Sequence, residues 1–209
     1  MSDTISTIHG RISVQHFDSL KQLSADEIRA LVQEATEAPS SFNIQHWRFI
    51  AVTDPAKKQA LTAASYGQAK VSESAVTFII LGDLEGHTKL QGILNQSVDD
   101  GLLPREVAEQ WVQMADSMYG SSAAFARDEA IRSASLAAMT LMLAAKARGL
   151  VSGPMIGFDP AQVKQLFGIA DQYIPVMLLP VGYPGQGNTS RKPRLRVDEV
   201  LSFNESRQF

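Results

Sequence analysis

The segment AAFARDEAIRSASLAAMTLMLAAKAR, residues 123–148, limits the fold more than any other stretch of the chain. Beyond Arg132, Ala, Ser, Met and Leu occupy its whole circumference, so as a helix it has no face suited to water and must be covered on most sides. Gly149 follows where a left-handed C-cap would end such a helix. The uncharged run, 133–145, falls well short of the ~20 apolar residues a membrane span requires. It predicts a buried helix and no anchor. A chain of 209 residues has little other material with which to wrap it, so a second subunit is expected to supply part of the cover.

Around this segment the pattern alternates between strand and helix signals. Ser24 and Glu27 form a capping box ahead of Ile28, Leu31, Val32 and Ala35, which predicts a helix over 24–38. Residues 47–53 read as a strand, and Asp54-Pro55 supplies the cap and first-turn proline of the next helix. Two further apolar runs, 76–81 before Gly82-Asp83 and 176–181 before Gly182, read as buried strands. Helices are expected over 104–118 and from Asp159-Pro160 to about 167. No repeat, low-complexity tract or Gly/Ser linker interrupts the chain, so residues 1–209 are expected to form a single domain. The last stretch, 185–209, is polar and basic, then mixed apolar over 197–203, a composition that docks on something.

Composition narrows the function. A hydrophobic content of 44% supports a substantial core, and a net charge of -3 argues against nucleic acid or an anionic membrane as partner. With no cysteine there is no disulfide, thiolate nucleophile, zinc–sulfur site or iron–sulfur cluster, so redox work would need a borrowed cofactor. The absence also suits a reducing cytoplasm. Residues 1–10 are polar, with no basic patch leading into an apolar run, and do not read as a signal peptide.

Several motifs can be set aside. Gly185-Gln186-Gly187 follows a strand, but a basic, proline-containing segment stands where a dinucleotide loop would open a helix. No Walker A sequence and no Gly-x-Ser-x-Gly elbow is present. His9, His16, His46 and His87 share no ligand spacing, so no metal site is expected and the histidines are placed at the surface or in loops. Three features remain. Arg11-Ile12-Ser13-Val14-Gln15-His16-Phe17 precedes the first predicted helix and is, alone, an ordinary arm. Pro39-Ser40-Ser41-Phe42-Asn43-Ile44-Gln45 offers hydroxyls, amides and backbone N–H groups to a polar heterocycle or polyol, although a helix-stop proline followed by turn formers gives the same letters. Arg191-Lys192-Pro193-Arg194-Leu195-Arg196 reads as a solvated tail or as a phosphate clamp.

Together and in this order, these segments resemble the nitroreductase family of FMN-dependent NAD(P)H oxidoreductases over nearly the whole chain. The resemblance is carried by Arg11, Ser13 and Phe17; by Pro39, Ser40, Asn43, Gln45 and Trp47; by Pro154-Met155-Ile156-Gly157-Phe158-Asp159-Pro160; by the strand from Pro175 to Pro184; and by Lys192-Pro193-Arg194-Leu195 through Asp198-Glu199-Val200. Gln15, His46 and Ile156 depart from the residues usual in the family.

The resemblance implies an α+β fold: a central, mainly antiparallel mixed sheet flanked by helices, a long buried helix at a homodimer interface and an extended C-terminal tail. It implies FMN as cofactor and NADH or NADPH as co-substrate, with hydride passing by way of flavin N5 to a flat acceptor such as a nitroaromatic or quinone in a ping-pong scheme. Arg11, Ser13, Lys192 and Arg194 would hold the phosphate, with Ile12 and Gln15 beside them. Pro39, Ser40, Ser41 and Asn43 would meet the ring and ribityl edge from the neighbouring subunit. Gln68 would bond the ring amide edge, Lys70 would stabilise negative charge on the reduced ring, and Pro154, Met155, Ile156 and Gly157 would line it. No side-chain nucleophile, general acid or metal is required. Trp111, Met118, Tyr119 and Phe125 are candidate lid residues. Family members with dehalogenating or flavin-fragmenting chemistry, and a flavin binder without turnover, are the alternative readings.

Overall fold

A computed structural model describes residues 4–206; the first three residues of the polar N-terminal segment and the last three of the tail lie outside the described residues. Its centre is strand β2 (Val76–Asp83), every residue of which is buried. β2 pairs antiparallel with β1 (Trp47–Val52) on one side and β4 (Tyr173–Gly182) on the other, and the two-residue strand β3 (Val151–Ser152) completes the order β1-β2-β4-β3. Among the described residues the parallel pairing is one isolated bridge, Ser13 to Ser152, which joins the N-terminal arm to β3. The register of β2 on β4 shifts between Ile80 and Leu81, opposite Pro175. A proline has no N–H to give a ladder, and a bulge accommodates that loss.

The period-two geometry of a strand sends alternate side chains of β2 into two separate cores. Phe78 and Ile80 join Leu179, Val181 and the long helix α7 (Ala123–Ala147), whereas Ile79 and Leu81 join Leu178, Val163 and Leu61 beneath α3 (Pro55–Ala63) and α8 (Pro160–Phe167). Nine residues of α7 are buried. By length and apolarity it is the one described helix that could cross a bilayer, and here it packs on β2, β4 and α2 (Ala25–Ala35). This chain covers only part of it: Leu136 and Met139 are exposed, and an apolar groove of about 330 Å³ runs along it between α2 and α1 (Thr4–Gly10), lined by Leu143, Ala144 and Ala147. Gly149, at φ 78°, ends it as expected.

Helix α2 stops at Ala35, three residues short of the predicted end, with Thr36 as its C-cap. Pro39 is the cause, because its ring disfavours helical backbone at Ala38. Helices α1, α4 (Lys70–Glu73) and α5 (Leu90–Asp99) were not expected. α1 and α4 are too short or too polar to show a period, and Gly92 obscures the Leu90, Ile93, Leu94, Val98 spacing of α5. α5 and α6 (Arg105–Gly120) form a helical excursion whose small third core contains Ile44, Leu90, Leu94, Ala115 and Tyr119.

His46 lies in a loop, one of the two places expected for the histidines, but far from the surface: it is 0% exposed under this third core. Periodicity could not reveal it, since its burial comes from the ring of Tyr119, 73 positions along the chain, stacked 5.4 Å away. Tyr119 itself, a candidate lid residue, is 3% exposed and belongs to the core, as in part does Phe125; Trp111 and Met118 remain exposed.

Two outcomes follow from this packing. A Cβ at Gly82 would lie 2.9 Å from the backbone oxygen of Ala130, where β2 and α7 meet main chain to main chain. Gly82→Ala should therefore lower stability by about 1–3 kcal/mol, as overpacking does, read as a lower urea midpoint at unchanged slope. Burial lowers the pKa of His46 from 6.5 to about 4, against an opposing pull from Asp83 and with smaller contributions from His87 and Arg48. The unfolded chain then binds more protons than the folded one between those values, so stability should fall as pH drops from 6.5 towards 4 and level off below. Urea titrations of His46→Leu beside the parent across that window should show this part of the slope removed.

Candidate functional site

The two ends of the chain meet on one face. Arg191 donates from Nη2 to the carbonyl oxygens of Ile8 (2.7 Å) and Arg11 (2.9 Å). Asn188 does more: its Oδ1 accepts from the N–H groups of Gln15 (2.9 Å) and His16 (3.0 Å), and its Nδ2 donates to the oxygens of His16 (2.8 Å) and Gly185 (3.1 Å). All four hydrogen-bonding positions of one amide are used to fasten the arm to the tail. Gly185 is required for that approach, since a Cβ there would fall 2.8 Å from the backbone of Phe17. The irregular backbone after Gly187 excludes the helix a dinucleotide loop needs, in agreement with the sequence reading.

Between arm and tail lies a cleft of about 210 Å³ lined by Ile12, Ser13, Gln15, Thr189, Ser190, Arg191, Lys192 and Arg194. Arg11 stands beside it, 3.5 Å from the Ser13 hydroxyl. Its pKa is lowered by burial first and then by the charges of Arg191 and Arg194. Among the described residues none of Arg11, Arg191, Lys192 and Arg194 pairs with a carboxylate. Converging cations without a counter-charge repel one another, and a phosphate or similar anion would remove that repulsion by charge-assisted hydrogen bonds.

The next wall begins at the Ser13–Ser152 bridge. Val14 N–H donates to Ser152 O (3.0 Å), the Ser152 hydroxyl is buried without a partner among the described residues, and a Cβ at Gly153 would lie 2.7 Å from Val14 O. The arm thus crosses β3 at a distance only glycine permits. Lys70 reaches this point, its Cδ 3.6 Å from the same Gly153 position. Lys70 is 7% exposed, has no acidic partner among the described residues, and burial lowers its pKa. Lys70 is therefore a buried lysine and not a solvated one on the helix surface. Gln68 donates to Gly157 O (2.8 Å) and Ser65 O (3.2 Å), which ties the α4 turn to the 154–157 strip. In that strip Ile156 is 82% exposed and Pro154 half-buried, but the Met155 side chain lies in the second core and both its backbone groups pair with Leu178. Met155 supports the wall from behind.

Pro39, Ser40, Ser41 and Asn43 stand apart from the cationic cleft, none of whose lining residues comes from their loop. That loop packs on the helical excursion through Phe42 and Ile44. Its backbone is strained, with φ of 52° at Phe42, 57° at Asn43 and 56° at Gln45. The Ser40 hydroxyl accepts from Gln45 N–H (2.9 Å), and Arg48 donates to the oxygens of Gln45 (2.8 Å) and Trp47 (2.7 Å) while pairing with buried Asp83 (3.1 Å). Lys89 pairs with the same carboxylate at 2.7 Å. Sequence reasoning missed Asp83, which resembles a strand stop, and Asn188, whose partners on the arm lie more than 170 positions away.

Comparison with known proteins fits this geometry. The nitroreductase family model matches residues 8–183. YodC of Bacillus subtilis is 35% identical over 182 residues, 87% of this chain and 90% of that one. A Thermus thermophilus NADH dehydrogenase is 31% identical over 192 residues, 89% and 92% of the two chains. The crystal structure of an Exiguobacterium sibiricum protein in complex with FMN superposes with a TM-score of 0.90 at 30% identity, covering 97% of this chain and 98% of that one. A family match from the arm through β4, on a fold shared at this level, places the chain in the nitroreductase family.

Proposed function

We propose that the chain acts as an FMN-dependent oxidoreductase that draws on NADH or NADPH and reduces a flat electrophile such as a nitroaromatic or a quinone, as a single-domain protein assembled into a cytoplasmic homodimer. The observation that carries this reading is the set of cations without a carboxylate partner among the described residues at the meeting of arm and tail, lining a cleft close to Lys70, a buried cation likewise without one. FMN, when bound, would supply the redox chemistry in two half-reactions that share one pocket. The names of the Thermus and Exiguobacterium relatives, with NADH in one and FMN in the other, support the pairing.

The residues divide the work by chemistry. Arg11, Ser13, Lys192 and Arg194 bind the phosphate, with Asn188 holding Gln15 and the tail at the required separation. Lys70, desolvated and without an anion, stabilises negative charge arriving on the ring edge near Gly153. Gln68 and Gly157, already joined, present the ring's polar rim. A cleft of about 210 Å³ is smaller than the ~300–1,000 Å³ of a usual cofactor pocket. The Pro39–Asn43 loop of a second subunit is the proposed completing wall. Exposed Leu195, Val197, Val200 and Phe203 on the tail, and Leu136 and Met139 on α7, are the apolar surfaces that such a dimer would cover.

The purified protein should be yellow, bleach with NADH or NADPH in the absence of oxygen, and regain colour on addition of a quinone. A colourless protein that takes up no added FMN would refute the flavin reading, and a yellow protein that never bleaches would refute turnover. Arg11→Ala combined with Arg194→Ala removes two charge-assisted contacts of roughly 1.5–3 kcal/mol each, so FMN affinity should fall by about 10²- to 10⁴-fold with the circular dichroism unchanged. Lys70→Met should keep the flavin but slow its reduction by about tenfold or more and lower its potential; an unaltered rate would remove Lys70 from the site.

A further inference from the structure

A second unusual group of side chains lies beneath the 40–45 loop. The ring of Tyr119 stacks on His46 (5.4 Å between centroids, 25° between planes) and on His87 (5.2 Å, 16°), and meets Phe125 edge-on at 5.1 Å. His46 Nδ1 and Nε2, His87 Nδ1 and the Tyr119 hydroxyl are all buried without a hydrogen-bond partner among the described residues. Buried polar atoms left unpaired cost stability, and leucine or phenylalanine would fill the same space without that cost. Packing stability alone does not account for three such rings.

Their placement does. His46 ends the strained loop, and its carbonyl oxygen accepts from Asp83 N–H at 2.7 Å. His87 lies on the 3-10 turn Gly86–Lys89 that follows β2, and Tyr119 on the last turn of α6. Ser41, on the loop, lies close enough to the Tyr119 hydroxyl to oppose slightly the upward shift that burial gives it, although no hydrogen bond of good geometry joins them. A second rung parallels the first: Phe42 of the loop meets Trp111 of α6 edge-on at 6.2 Å. Trp111, Met114 and Met118, at helical spacing on one side of α6, are exposed. The charged groups around the stack, Asp83 with its partners Arg48 and Lys89, and Arg132 near Tyr119, are accounted for by ion pairs.

We propose that His46, Tyr119 and His87 are positioning residues whose stack ties the 40–45 loop to α6, so that the loop's polar groups and the exposed Trp111–Met118 face keep a fixed separation. The functional consequence rests on the reading of that loop as a wall of the flavin site: an acceptor held against α6 is then set at a constant distance from the ring the loop holds. The link is steric, because burial keeps His46 neutral down to about pH 4. Two rungs of ring contact leave loop and helix no independent motion, whereas loss of Tyr119 frees the strained segment.

The test uses full-length Tyr119→Leu, His87→Leu and Tyr119→Phe, followed by hydrogen exchange at the amides of Asn43, Ile44 and Gln45, which donate to Ser40 O, Ser41 O and Ser40 Oγ. Tyr119→Leu should speed their exchange about tenfold with the amides of β2 unaffected. It should also raise KM for menadione about tenfold while kcat at saturating menadione stays near the parent value. Tyr119→Phe keeps the ring and should restore both. Should Tyr119→Leu fail to fold, His87→Leu, at a half-buried position, gives the same readouts. Unchanged exchange at 43–45 in a folded variant, a fall in kcat with KM for menadione unchanged, or a Tyr119→Phe as defective as Tyr119→Leu would overturn the proposal. A parent protein that takes up no FMN sinks the flavin reading alone, since the exchange comparison reads the stack without it.

Discussion

Everything in the structure is arranged around the burial of β2 on both faces. A strand with no solvent face demands two layers of cover, and the chain supplies α7 on one side and α3, α4 and α8 on the other. The approach is close enough at Gly82 that α7 touches the strand by its backbone, which fixes the helix in depth as well as direction. Both ends of β2 are then available for polar work. At its start, Ser74 and Thr77 hydroxyls bond each other and Val71 O, which anchors the α4 turn that carries Lys70. At its end, Asp83 gathers Arg48 and Lys89 under the base of the 40–45 loop. One buried strand thus holds two distant polar walls in fixed relation.

The electrostatics of the two walls differ in kind. Asp83 is a buried carboxylate met by two cations, a closed arrangement that needs nothing more. The cleft between arm and tail is open in the opposite sense, with Arg11 shifted downward by burial and by like charge and no acid to meet it. Keeping such a cluster together requires a mechanical restraint, and Asn188, bonded to both segments through a single planar amide, provides it. A lysine buried nearby without an anion adds to the same imbalance. The phosphate of the proposed cofactor would bring the missing charge.

How much of this was legible depended on the range of the interaction. The capping box at Ser24, the Asp54-Pro55 and Asp159-Pro160 starts and the Gly149 stop are local, and each formed where its residues indicated, whereas the β2 run continues through the Gly82-Asp83 expected to end it. The cationic ends of the chain were legible as charge, and the family pattern suggested that they meet. What could not be read was contact at long separation: Asn188 looks like any turn residue, Asp83 like any strand end, and His46 like any loop histidine until Tyr119 covers it. Met155 shows the converse failure, because the motif that contains it also contains core positions, and letters in a shared segment do not say which way a side chain turns. α1 and α5 were missed because their periodicity is short or interrupted, and tertiary contact holds them instead.

The 40–45 loop joins these threads. Three non-glycine residues with positive φ within four positions are costly, on the order of 1–3 kcal/mol each, and such a backbone persists only where its surroundings over-determine it. Ser40 Oγ, Arg48 and the rings beneath His46 supply those constraints from three directions. The strain falls on Phe42, Asn43 and Gln45, where Asn43 is exposed while the apolar residues on either side of it, Phe42 and Ile44, are held in the third core. A loop needing only to reverse the chain between α2 and β1 could use glycine and relax. Its refusal to do so means that the direction of its polar groups is what the surrounding structure maintains, although none of them lines the cleft of their own chain. In the proposed homodimer, that loop would complete the cleft of the partner subunit.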